Sequence, residues 1–198
     1  MKRLNENESH PIRVGFTNGE TKVLIVGTFP PKEVYETLGG NYFFYSSARN
    51  HFWNIMEDIF PNEILKKTKT RHKNLSFEEL KLNKENFSVK NKIGFIDFFS
   101  IIIRQEQSSK DKHIINVENI VSNGELNKVL KRNNFISRIC CTYKLAYDSL
   151  IKSLDLTYEN PLYKFENRII EIILLYPATR SGHKKHLKKE QYKKFLFN

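Results

Sequence analysis

Cysteine is nearly absent: 2 in 198 residues, adjacent as Cys140 and Cys141 inside an apolar run. That excludes a disulfide framework and, within one chain, four-thiolate ligation of an iron–sulfur cluster; the pair reads as small core residues in a reducing compartment. No apolar stretch approaches the roughly 20 residues of a membrane helix. Met1 to Glu8 lacks the apolar centre of a signal peptide, so a cytoplasmic protein with no membrane partner is expected. Acidic residues are in deficit, 22 against 33 Lys plus Arg, which leaves a net charge of +11. A surface of that sign favours a polyanion such as nucleic acid or an anionic membrane, or else reflects a basic proteome. Neither Gly-x-Gly-x-x-Gly nor Gly-x-x-x-x-Gly-Lys-Ser/Thr occurs, which disfavours dinucleotide and nucleoside-triphosphate phosphate loops. Internal repeats and low-complexity linkers are missing too, and 39% hydrophobic residues suffice for one core, so a single domain over 1–198 is expected.

What is present is an α/β pattern. Val23 to Val26 is a short apolar run closed by Gly27, as a central parallel strand covered on both faces requires. Phe52, Ile55, Met56, Ile59 and Phe60 keep helical spacing until Pro61, which predicts a helix from about Asn50. Ser76 followed by Glu79 is a capping-box signature for a second helix. Ile93 to Phe99, Phe135 to Thr142 and Ile169 to Leu175 read as further strands. Helices are expected from Asn123 to Arg132, Tyr143 to Leu154 and His183 to Phe197. The alternation predicts a three-layer α/β/α fold on a mostly parallel four-stranded sheet. Arg104 to Asn119 has no clear period and reads as a loop, either plain surface or an excursion over the sheet end.

Two segments stand out for chemistry. The first strand ends in Gly27-Thr28-Phe29-Pro30-Pro31, and Tyr45-Ser46-Ser47-Ala48-Arg49-Asn50-His51-Phe52-Trp53 follows. The C-terminal strand end of an open α/β sheet is where ligands bind, so this pairing nominates a site. It resembles the uracil-DNA glycosylase superfamily, and within it the hypoxanthine or mismatch-specific branch, through Arg49, Asn50, Phe52 and Trp53 of the second segment. The resemblance extends to His10-Pro11, to Gly94-Phe95-Ile96-Asp97, to Arg104, to Ser108-Ser109-Lys110-Asp111, and to Tyr176-Pro177-Ala178-Thr179.

The resemblance implies a monofunctional DNA glycosylase, acting as a monomer on duplex or single-stranded DNA with no cofactor and no metal. Cutting an N-glycosidic bond needs a flipped nucleotide, stabilisation of the departing base and a placed water. Asn50 is the implied catalytic residue; the sequence alone fits a helix N-cap equally well, and both hold only if the amide is shared. Asp97 is a second catalytic candidate, or else a loop cap or ion-pair partner. Gly27, Thr28, Phe29, Pro30, Tyr45, Trp53 and Tyr176 are the expected base pocket, with Trp53 packing beneath it. Pro31, Arg49, Pro177, Thr179, Arg180, Ser181, Lys184 and Lys185 are the expected DNA contacts, the last two opening a run with Lys188, Lys189, Lys193 and Lys194 that grips phosphate or merely solvates a helix. Departures from the family pattern are Phe29, where related branches carry a water-activating Asp, Glu or Asn, and Tyr176 and Ala178 in the last motif. They leave room for a hypermodified base, or for a silent DNA-binding module of the same fold. His183 and His186 lack the companions a metal would need.

Overall fold

The computed structural model describes residues 7–12, 15–67, 72–104, 114–179 and 185–197. The motif at Ser108 to Asp111 lies outside them. The first predicted strand is β2, Val23–Gly27, preceded by a three-residue β1, Asn7–Ser9. β2 pairs in parallel with β3, Ile93–Asp97, on one side and with β6, Arg138–Cys141, on the other; β6 pairs in parallel with β8, Arg168–Leu174. An edge strand, β7, Leu162–Phe165, runs antiparallel to β8, so the sheet has five strands in the order β3-β2-β6-β8-β7. The expectation of four strands missed β7, a short hairpin partner whose Leu-Tyr-Lys-Phe carries no strong apolar alternation.

A second correction concerns residues 99–119. The run from Ile93 breaks at Phe98, and the chain leaves the parallel sheet to form β4, Phe99–Arg104. β4 pairs antiparallel with β1 and with β5, Ile114–Asn119, as a separate three-stranded sheet. The stretch read as a loop, Arg104 to Asn119, therefore starts on the last residue of β4 and ends in the strand β5. Their alternation is broken by register shifts between Phe99 and Ile102, and their partner β1 is remote in sequence.

Alternation along β2 sends Leu24 and Val26 to one face and Val23 and Ile25 to the other. On the first face lie α4, Glu125–Arg132, through Leu126, Val129 and Leu130, and α5, Lys144–Ser153, through Ala146, Leu150 and Ile151. On the second lie α2, Phe52–Ile59, α3, Phe77–Lys90, and α6, Lys185–Phe197. The Ser76 capping box forms as predicted: Ser76 Oγ accepts from the Glu79 amide, and the Glu79 carboxylate accepts from the Ser76 amide. A short helix, α1, Lys32–Leu38, follows the double proline. Its start is set by Pro31, which presents an extended residue immediately before the first helical position.

The chain leaves β2 for β3 on one side and later adds β6 on the other, so the loops after β2 and β6 part in opposite directions. That is the switch point at which an open α/β sheet leaves a crevice beyond its C-terminal strand ends.

Candidate active site

A cleft of about 610 Å³ occupies that crevice. It is lined by Gly27 to Pro31 after β2, Tyr45 to Asn50 before α2, Asp97 at the end of β3, Tyr143 after β6 and Thr179 after β8, with Glu33, Val34 and Tyr42 completing the wall. Gly27, Thr28, Phe29, Pro30, Pro31, Tyr45, Arg49, Asn50, Asp97 and Thr179 were all nominated from sequence and are brought together here.

Asn50 is half-buried and held at both ends of its amide. Oδ1 accepts from the Phe52 amide at 2.8 Å, which satisfies an orphan donor of the first turn of α2, and Nδ2 donates to the Tyr143 hydroxyl at 3.0 Å. The amide is therefore shared: after these bonds one Nδ2 hydrogen and one Oδ1 lone pair are left for a ligand. The loop is tied to the segment that follows β8 by the His51 amide, which donates to Ala178 O at 2.9 Å.

Asp97 sits opposite, buried at 8% exposure. Its Oδ2 accepts from His10 Nε2 at 2.9 Å, while His10 Nδ1 accepts from the Ile12 amide at 2.9 Å. Because an amide can only donate, Nδ1 carries no proton and Nε2 does, which fixes the imidazole as a donor to Asp97. Gly27 faces Asp97 across the β2–β3 ladder, and a Cβ there would lie 2.1 Å from Asp97 Oδ1 and 3.0 Å from Tyr45 Oη. The glycine exists here to let a carboxylate and a phenol approach the backbone.

Tyr45 adopts φ 58°, a left-handed conformation that costs about 1–3 kcal/mol in a bulky residue. In return its ring stacks on Phe52 at 4.7 Å and its hydroxyl bonds Thr142 Oγ1 at 2.9 Å. Burial, with the Asp97 carboxylate close by, holds the phenols of Tyr42 and Tyr45 well above their ordinary range, so both stay neutral donors. Phe29 is fixed edge-on to His10 at 5.2 Å, and the Arg104 guanidinium lies 5.6 Å from its ring centre. Arg104 also donates to Pro30 O at 2.8 Å and to the Glu8 carboxylate at 3.0 Å, which stiffens the double-proline wall.

Other nominated residues stand elsewhere. Trp53 is fully buried beneath the loop, its Nε1 donating to Phe44 O at 2.8 Å, and does not reach the cleft. Tyr176 is not among the residues lining the cleft, and its backbone is tied to α6: its amide donates to Gln191 Oε1 and its carbonyl accepts from Tyr192 Oη. Pro177 is exposed outside the cleft lining, and Lys185 pairs with Asp58 at 2.9 Å. Lys188 is not part of a solvated face: it is 3% exposed and donates to Thr179 O at 3.0 Å. Arg180, Ser181 and Lys184 lie outside the described residues. Tyr143 and the role of His10 escaped sequence reasoning; a lone tyrosine after a strand carries no pattern, and His10 meets Asp97 across 87 residues. Among the described residues no cluster of His, Cys, Asp or Glu suits a metal, and no helix is long and apolar enough to cross a membrane.

The site thus offers a fixed amide, a buried carboxylate with an oriented imidazole behind it, and aromatic walls. No family model and no curated protein matches the chain. Among solved structures it is similar to the solution NMR structure of a proposed uracil DNA glycosylase from Methanosarcina acetivorans, with a TM-score of 0.55 and 16% identity over 92% of this chain and 97% of that one. At that identity the likeness is one of fold, a uracil-DNA-glycosylase-like arrangement of mixed sheets and helices.

Proposed function

We propose that this protein is a monofunctional DNA glycosylase that hydrolyses the N-glycosidic bond of a flipped, deaminated or mispaired base, such as hypoxanthine or uracil. The reading is carried by one observation: the Asn50 amide and the Asp97 carboxylate converge on a single cleft at the switch point of the sheet. The fold likeness and the net charge of +11 support DNA as the substrate.

In this mechanism the base enters between Phe29 and the Tyr45 to Asn50 loop, and the Asn50 amide contacts the base or the attacking water. Asp97, oriented by His10, takes the proton of a water that bonds C1′. The C1′–N bond breaks with its electron pair passing to the base, which is then protonated and leaves an abasic site in an uncut strand. Arg49 and Thr179 at the rim face the sugar-phosphate backbone, with Pro31, Pro177 and the exposed lysines of α6 flanking it. A cleft of about 610 Å³ leaves space beside an unmodified ring, so modified bases belong among the substrates tried.

The test is alkaline cleavage of labelled oligonucleotides, each carrying one candidate base, after incubation with the wild-type protein and with Asn50→Ala. Alkali-dependent cleavage that disappears in the variant supports the reading and names the base. Cleavage that survives in Asn50→Ala removes Asn50 from the chemistry, and no cleavage of any substrate refutes the glycosylase assignment.

A further inference from the structure

Two lysines lie under the cleft. Lys66 Nζ donates to Ser47 O at 2.8 Å and to Asn50 O at 2.9 Å, and Lys84 Nζ donates to Ser46 Oγ at 2.9 Å while standing 5.4 Å from the Trp53 ring centre. They are 7% and 2% exposed. Ser46, Ser47 and Asn50 all line the cleft, so a single layer of loop separates these ammonium groups from the ligand space.

One carboxylate faces the pair. Glu57 of α2 raises the proton affinity of both lysines, and its Oε1 accepts from the Leu65 and Lys66 amides. Burial nevertheless lowers Lys66 to about 8 and Lys84, which also feels Lys66, to about 7. Among the described residues neither lysine forms an ion pair. Holding a loop carbonyl or a serine hydroxyl needs only a neutral donor, and burying a second cation against one carboxylate works against the fold. The positive charge itself calls for an explanation, and the adjoining cleft supplies one, since a departing base gathers negative charge.

We propose that Lys66 and Lys84 form a cationic floor beneath the Tyr45 to Asn50 loop that stabilises the anion developing on the departing base. This rests on the glycosylase reading. The lysines act through the loop without touching the base: their charge adds to the potential in the cleft, and the Lys66 bonds polarise the peptide units of Ser47 and Asn50. For a base held about 7 Å from a unit charge at an effective dielectric near 20, the interaction corresponds to roughly 10- to 100-fold in rate.

Lys66→Met and Lys84→Met keep the length of the stem and discard the charge. Expected is a 10- to 100-fold lower single-turnover excision rate with little change in KM, and a smaller loss for a ring-fluorinated, more acidic form of the same base. The wild-type rate should fall as the pH rises through 7 to 8, where the two lysines lose their protons, and the double variant should lack that fall. Melting temperatures of the variants should be unchanged or higher. Variants that melt well below wild type, or that lose rate equally on both leaving groups, would make the lysines structural clasps and overturn the proposal.

A readout independent of turnover is binding of barbiturate, a flat ring anion throughout this pH range. Affinity should be higher near about pH 6 than near about pH 9 in the wild type, and equal at both in the double variant. Binding indifferent to pH in the wild type overturns the cationic floor. If the pH-dependent binding holds while no base is excised from any oligonucleotide, the anion site stands and the glycosylase assignment falls.

Discussion

Gly27→Ala tests the closest packing in the site. Gly27 is a strand residue without a left-handed φ, so alanine meets no backbone penalty and would by propensity alone be mildly favourable. Its Cβ, however, would lie 2.1 Å from Asp97 Oδ1, so the carboxylate must retreat by about 1 Å inside a close-packed interior. Asp97 cannot retreat freely, because Oδ2 is bound to a histidine that is itself 4% exposed. Losing a charge-assisted bond costs about 1.5–3 kcal/mol and an off-rotamer side chain roughly another 1, for a total near 3 kcal/mol. In a domain of this size that is roughly 6–12 °C in melting temperature. The double-mutant cycle isolates the cause: with Asp97→Ala already in place the oxygen is gone, and Gly27→Ala should then cost under about 1 kcal/mol, the residue of the 3.0 Å approach to Tyr45 Oη. Thermal unfolding of the four proteins measures the coupling. Additivity within about 0.5 kcal/mol would show that Asp97 is not what requires the glycine.

Substitutions at three positions separate structural from chemical roles nearby. Asn50→Asp keeps the acceptor that caps α2 and loses the donor to Tyr143, so stability should hold while excision falls about 100-fold or more; Asn50→Ala should lose both activity and about 1 kcal/mol of stability. Tyr143→Phe removes the partner that fixes the Asn50 amide, and a rate reduced about tenfold with unchanged KM for DNA is expected, for at most about 1 kcal/mol in stability. Lys185→Ala breaks an exposed pair with Asp58 and should barely move the melting temperature, yet lower the salt slope of DNA affinity by about 1 if the lysine meets phosphate; an unchanged slope would confine Lys185 to solvation.

How much of this was legible in sequence depended on whether the signal was local. The β2 run, the loop after it and the Ser76 capping box are contiguous patterns, and each lies where it was read. Asn50 was undecided between cap and site because its two roles use different atoms of one amide, which a letter cannot show. The β4–β5 pairing was hidden because its register shifts break the alternation and its third strand is remote in sequence. The buried lysines carried a signal that charge counting overlooked. Lys84 stands four residues after Leu80 and three before Phe87, on the buried face of α3, and Lys188 begins the buried series Lys188, Tyr192, Leu196 of α6. A lysine at a core-facing helical position marks a bond to something polar within.

That bond has the same destination each time. His10 donates to Asp97, Arg104 to Pro30, Lys66 to Ser47 and Asn50, Lys84 to Ser46, and Lys188 to Thr179, and every acceptor lines the cleft. Desolvating such side chains opposes folding, and strand interiors such as Leu24, Ile25 and Ile139 bury nothing polar in their side chains. The cost is thus concentrated at the strand ends that ligands use, on acceptors belonging to four separate chain segments. Purely structural networks also bury charge, but they have no reason to converge on one crevice from behind. Loop rigidity explains the bonds of Arg104 to Pro30 O and of Lys188 to Thr179 O, which end on backbone carbonyls at the rim. Lys66 and Lys84 place two ammonium groups behind Ser46, Ser47 and Asn50, the part of the wall that a departing base would face, and the methionine variants separate what their charge does there from what their hydrogen bonds do.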